Sequence, residues 1–198
     1  MTDTRPVLRY VAIGDSYTIG TSVAERESWP AQLVARLAAD PPGATISLVA
    51  NHAVNGSSAD SVVRHQLPLI DAERGLGFAS LLVGANDAAQ GVPEAVYRAD
   101  VTKILNALLG RLAPDRILGV ETPDYTVMPM GAAFGEPVAR RAAIVRNNAV
   151  LSELCRERGI RFVDGILAIS SEAAFDATLV AGDGLHPSGA QYARWVTE

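Results

Sequence analysis

Five short apolar runs punctuate the chain: Leu8–Ile13, Ile46–Ala50, Phe78–Val83, Arg116–Val120 and Ile160–Val163. Each is too short for a buried helix and is bounded by Gly, Pro, Asn or Asp, so each predicts a strand covered on both faces. The stretches between them carry helical spacing. Ser28 predicts a cap for a helix facing inward through Leu33, Val34 and Leu37, with Pro30 tolerated in its first turn and Asp40-Pro41-Pro42-Gly43 ending it. Ser57 or Ser58 caps a helix bearing Val62, Val63 and Leu67. Pro93 opens a helix to about Leu112, with Tyr97, Val101, Ile104, Leu105, Leu108 and Leu112 on one face. A further helix runs from Pro137 to about Arg158, with Gly159 as its terminating residue, and Ser188 with Gln191 forms a capping box for a short last helix. Tyr17–Glu27 and Pro123–Pro137 read as loops. Strands alternating with helices predict an α/β sandwich around a parallel sheet, with right-handed crossovers.

Composition narrows the function. A chain of 198 residues is the length of one domain, here taken as 1–198. Hydrophobic residues make up 48% and charged residues 20%, as in ordinary globular proteins. A net charge of −5 gives no electrostatic reason to expect nucleic acid or an anionic membrane surface as a partner. Cys155 is the only cysteine, which excludes an internal disulfide and a thiolate metal cluster. No apolar run is long enough to cross a bilayer, and Met1–Arg9 holds no secretory apolar core, so the expected location is cytoplasmic, without integral membrane contact.

Four blocks fall at strand ends or in loops: Gly14-Asp15-Ser16, Asn55-Gly56, Gly84-Ala85-Asn86-Asp87 and Asp183-Gly184-Leu185-His186. Open parallel sheets bind ligands beyond the carboxyl ends of their strands, where these blocks would lie. Their residue types suit acyl transfer. A serine nucleophile needs a base, and the base needs an orienting partner. His186 is the base candidate, because Pro187 holds it extended and the capped helix beginning at Ser188 anchors the adjoining segment. Asp183, in the same turn, can bind the imidazole N–H facing away from Ser16. Gly56 would let a bare backbone N–H approach a developing oxyanion, and Asn86 offers an amide with two donors.

The four blocks, in this order, resemble the SGNH family, also called GDSL esterases and lipases, which is named for Ser, Gly, Asn and His in four such blocks. The resemblance spans Ser16 to His186. It implies a flavodoxin-like three-layer α/β/α fold with a five-stranded parallel sheet in the order 2-1-3-4-5. It also implies Ser16, Asp183 and His186 as catalytic residues, and an oxyanion hole made by the backbone N–H groups of Ser16 and Gly56 with the Asn86 amide. The activity so implied is hydrolysis of a small-molecule carboxylic ester through an acyl-serine, without cofactor or metal. Two alternatives stand beside it: an acyltransferase using the same site, and a non-catalytic flavodoxin-like binding domain. Asn148 resembles an asparagine frequent at that place in the family and is assigned a structural role.

Other signatures fail. There is no G-x-S-x-G elbow and no Walker loop, and Gly75-Leu76-Gly77 lacks the third glycine of a dinucleotide fingerprint. Asp15, Asp87 and Asp183 lack a recognised metal-ligand spacing, and His52 and His65 read as structural or solvated. Pro123–Pro137 is more apolar than a solvated loop. Tyr125, Met128, Met130 and Phe134 are therefore expected to line the substrate site; packing on the helix after Pro137, or a homodimer contact, would also account for their apolar character.

Overall fold

The computed structural model describes residues 7–39 and 45–198. Its strands are β1 Val7–Gly14, β2 Thr45–Asn51, β3 Leu76–Leu82, β4 Ile117–Val120 and β5 Arg161–Val163. They form one parallel sheet in the order β2-β1-β3-β4-β5, as the resemblance implies. The chain moves outward from β1 to β2, then returns past β1 to β3. The crevice at this reversal lies beyond the carboxyl ends of β1, β2 and β3, so three of the four sequence blocks leave the sheet side by side.

The helices are α1 Ser16–Ile19, α2 Trp29–Ala39, α3 Ala59–Ser61, α4 Leu67–Ala72, α5 Ala85–Gln90, α6 Glu94–Leu109, α7 Pro137–Glu157, α8 Ile166–Ser171 and α9 Gly189–Trp195. A π-helical turn, Val62–Gln66, joins α3 to α4. On one face of the sheet Val11, Ile13, Leu81 and Ile117 pack against α3, α4, α6 and α7. On the other, Leu82, Leu118, Val120 and Val163 pack against α2, α8 and α9. Coverage of both faces is why the strands read as unbroken apolar runs rather than as alternation. No helix among the described residues is long and apolar enough to cross a membrane.

Local chemistry departs from expectation in a few places. Tyr17–Glu27 begins inside a single helical turn, because Asp15 caps α1 by accepting from the Tyr17 N–H. Ser28 precedes α2, but its hydroxyl turns back to donate to the Glu25 carbonyl at 2.8 Å. Ser58 rather than Ser57 caps α3. Ser188 caps α9, while the Gln191 amide donates to the Leu179 carbonyl, so only half of the capping box forms. Pro123–Pro137 is not featureless: it holds two 3-10 turns, Tyr125–Val127 and Gly131–Phe134. The expected stop at Asp40–Gly43 lies outside the described residues.

Candidate active site

Ser16 is the first residue of α1, immediately beyond β1, and is buried. The turn that presents it is held from a distance. Gln66, itself buried at the end of the π-helical turn, accepts from the Gly14 N–H at 2.9 Å and donates to the Gly14 carbonyl at 2.7 Å. The same Gln66 amide donates to the Ser57 hydroxyl at 3.2 Å, and the Ser57 carbonyl accepts from the Asn86 amide at 3.1 Å. One chain of hydrogen bonds thus runs from the turn before Ser16 to Asn86. Asn147, on α7, donates to the Gly84 carbonyl at 3.1 Å and steadies the turn just before Asn86. Neither Gln66 nor Asn147 stands out in the sequence, because each acts on backbone groups far away in the chain.

His186 and Asp183 form a tight pair, with His186 Nδ1 2.6 Å from Asp183 Oδ2. Asp183 Oδ1 accepts from the Leu185 and His186 N–H groups, and Oδ2 also accepts from the Ser22 hydroxyl at 2.6 Å. Partial burial pushes the Asp183 carboxyl upward, but the hydrogen bonds from Ser22, His186 and Leu185 outweigh it and hold the carboxyl well below its usual range. The charged carboxylate is therefore a fixed partner for the imidazole. The Tyr17 ring packs on the His186 imidazole in a tilted arrangement, with ring centroids 5.4 Å apart. No motif in the sequence singles out Ser22, which alone among the described non-glycine residues has positive φ, at 66°.

Ser16, Gly56, Asn86, Tyr125, Phe134 and His186 line one cavity of about 210 Å³. Asp183 stands behind His186. Ser16 and His186 share the cavity wall without a hydrogen bond between their side chains. Gly56 has φ +78° and is exposed, and a Cβ built there would meet no protein atom. Glycine is thus suited to the backbone conformation of the Asn55-Gly56 turn rather than to a tight protein contact. Asn86 uses one amide hydrogen on Ser57, which leaves the other available.

Of the four residues expected to line the substrate site, Tyr125 and Phe134 line this cavity, whereas Met128 and Met130 do not. Met128 is buried in a separate cluster with Ala173 and Leu179. Met130 is 51% exposed and lies against the His186 turn instead, its N–H donating to the Gly184 carbonyl at 2.9 Å and its side chain beside Gly184. The physical reason is the pair of 3-10 turns: they rotate Tyr125 and Phe134 toward the cavity and the methionines between them away from it.

Asp15 and Asp87 are buried acids beside the site. Burial, reinforced by the charge of Asp87, pushes Asp15 up to about 8 against the pull of the Tyr17 N–H. Burial likewise pushes Asp87 up to about 6, although it accepts from the Ala59 N–H at 3.1 Å. Among the described residues no three His, Cys, Asp or Glu side chains are grouped to hold a metal ion. His52 pairs with Glu73 at 3.2 Å, and His65 is exposed in the π-helical turn. Asn148 brackets Thr122, accepting from its N–H at 2.8 Å and donating to its carbonyl at 2.9 Å.

This is the α/β architecture of the SGNH hydrolases, a five-stranded parallel sheet with helices on both faces. The sequence matches the GDSL-like lipase/acylhydrolase family over residues 12–194, and the chain belongs to that family of hydrolases. Solved structures with the same fold include the acetylxylan esterase Axe2 from Geobacillus stearothermophilus, in a catalytic-mutant form: 19% identity, TM-score 0.74, covering 98% of this chain and 94% of that one. TesA aligns at 17% identity with a TM-score of 0.70, covering 96% of this chain and 94% of that one. The psychrotrophic esterase EstA from Pseudoalteromonas sp. aligns at 15% identity with a TM-score of 0.68, covering 96% and 93%. Among curated protein sequences none matches.

Proposed function

We propose that this protein is a serine esterase that hydrolyses small-molecule carboxylic esters through an acyl-serine intermediate. The observation that carries this reading is the Asp183–His186 pair at 2.6 Å, whose His186 lines the same cavity as Ser16. With Nδ1 occupied by Asp183, Nε2 of the neutral imidazole is the nitrogen left to take the Ser16 proton. Ser16 Oγ then bonds to the ester carbonyl carbon, and negative charge develops on the carbonyl oxygen. The Ser16 N–H, the Gly56 N–H and the second Asn86 amide hydrogen stabilise that charge. The imidazolium, paired with the Asp183 carboxylate, returns its proton to the leaving alcohol as the C–O bond breaks. Water, deprotonated by the same imidazole, then attacks the acyl carbon; the C–Oγ bond breaks, the imidazolium returns the proton to Ser16 Oγ, and the acid leaves.

Axe2 supports this assignment. Its catalytic mutants replace a serine, an aspartate and a histidine, with the aspartate three positions before the histidine, the same spacing as Asp183 and His186. The test is labelling of the purified protein with a fluorophosphonate, alongside hydrolysis of p-nitrophenyl esters of graded acyl length. Wild type is expected to be labelled and active, and Ser16→Ala to be neither, with a loss of roughly 10⁴-fold or more. A Ser16→Ala protein that keeps a tenth of the activity would overturn the mechanism.

A further inference from the structure

The aromatic side of the cavity is fastened by two neighbouring arginines. Tyr125 and Phe134 sit in separate 3-10 turns and meet edge to face, with ring centroids 5.8 Å apart. The first turn is capped by buried Asp124, which accepts from the Thr126 N–H at 2.9 Å and pairs with Arg141 Nε at 2.9 Å. The second turn ends on Arg140: its Nε donates to the Phe134 carbonyl at 3.0 Å, and its Nη1 donates to the Ala88 carbonyl at 2.8 Å. Ala88 lies in α5, the short helix that also carries Asn86. The Arg140 guanidinium therefore bridges the turn bearing Phe134 to the helix bearing Asn86.

Gly135 makes room for the bridge. Its φ is +118°, and a Cβ built there would lie 2.6 Å from Arg140 Nε. Any other residue at that place would be strained and would push the guanidinium off the Phe134 carbonyl. Phe134 itself is 40% exposed while lining the cavity, so it stands at the rim. A half-exposed ring on a short turn has little packing to hold it, and hydrogen bonds from a charged donor are the strong kind of restraint.

We infer that Arg140 is a positioning residue for substrate selection: by tying Phe134 to α5, it sets the length of the acyl group that the cavity accepts. This rests on the esterase reading above. Loss of the bridge frees the rim and lets bulkier acyl groups enter. Truncation of Phe134 has the same consequence by removing the ring.

The experiment compares kcat/KM for p-nitrophenyl esters of graded acyl length in wild type, Arg140→Ala, Phe134→Ala, their double variant, Arg140→Lys and Gly135→Ala. Arg140→Ala and Phe134→Ala are each expected to shift the ratio of long- to short-chain kcat/KM by about tenfold, the scale of a methylene-sized change in a substrate pocket. The double variant should shift it no further, because both changes act through one ring. Arg140→Lys keeps the charge without the two-pronged fork and gives a smaller shift, and Gly135→Ala gives a shift in the same direction. An unchanged profile in Arg140→Ala, or a uniform loss across all acyl lengths, overturns the inference; so does an unchanged profile in Phe134→Ala. If Arg140→Ala does not fold, Arg140→Lys and Gly135→Ala decide in the same way. Fluorophosphonate labelling of wild-type Ser16 separates the two readings: without it the esterase proposal has failed, whereas with it an unmoved profile counts against Arg140 alone.

Discussion

The side-chain amide of Gln66 closes on both backbone groups of Gly14, at 2.9 Å to the N–H and 2.7 Å to the carbonyl, across 52 residues of sequence. The π-helical turn makes this geometry, since Val62–Gln66 adds a residue per turn and rotates Gln66 inward while Arg64 and His65 stay outside. Gln66→Met keeps the length and removes the polar atoms. It leaves the Gly14 N–H without its Gln66 acceptor, at a cost of about 1–3 kcal/mol, and the Gly14 carbonyl with the Val54 N–H at 3.3 Å. It should also lower kcat by at least about tenfold with a smaller change in KM, because the Ser16 turn and Asn86 lose their common anchor. Thermal melts and steady-state kinetics check both halves, and a stable variant with wild-type kcat would show that the amide only supports the fold.

Asn86→Ala tests the charge-stabilising role proposed for that amide. The expected loss is about 10²–10³ in kcat, the usual effect of one oxyanion donor, with a much smaller effect on KM. A defect confined to KM would place Asn86 in ground-state binding instead. Fluorophosphonate labelling should slow in parallel with kcat, because the reagent develops a similar charge.

Ser22 couples strain to the proposed base. It adopts φ 66° and gives its hydroxyl to Asp183 Oδ2 at 2.6 Å. Ser22→Gly relieves a backbone conformation that costs a non-glycine residue about 1 kcal/mol or more, but it deletes that hydrogen bond. The outcome expected is unchanged or raised thermal stability together with a several-fold lower kcat. A less stable Ser22→Gly with full activity would show that the hydroxyl serves the fold and not the His186 turn.

Asp15 and Asp183 pull pH stability in opposite directions. Asp15 is raised to about 8 in the folded protein, so between pH ~4 and ~8 the native chain holds a proton that the unfolded chain has released. Stability should therefore fall as pH rises through that window, and Asp87, raised to about 6, adds to the fall over its lower part. Asp183 is lowered, so its contribution is present above the ordinary carboxylate range and is lost as pH falls below it. Stability is expected to peak on the mildly acidic side. Asp15→Asn, which keeps an acceptor for the Tyr17 N–H, should flatten the decline from pH 5 to 8 by on the order of a few kcal/mol. Denaturant melts of both proteins across that range measure it; parallel curves would mean that Asp15 is already ionised at neutral pH.

Sequence alone determined the strands, their alternation with helices and the four blocks. These are local properties: burial on both faces of a parallel strand writes itself as a short apolar run, and Gly, Asn, Asp and Pro mark where the runs end. Ser16, Asn55-Gly56 and Asn86 could be placed at one sheet edge because β1, β2 and β3 are neighbours in the observed order. Tertiary structure decided what holds those residues and which way their neighbours face. Gln66 meets Gly14 across 52 residues and Ser22 meets Asp183 across 161, and no periodicity records contacts of that range. Met128 and Met130 looked as suited to a cavity as Tyr125 and Phe134. Composition says that a side chain will seek apolar surroundings, whereas the backbone turn, here two short 3-10 segments held by Arg140 and Arg141, decides which surroundings it finds.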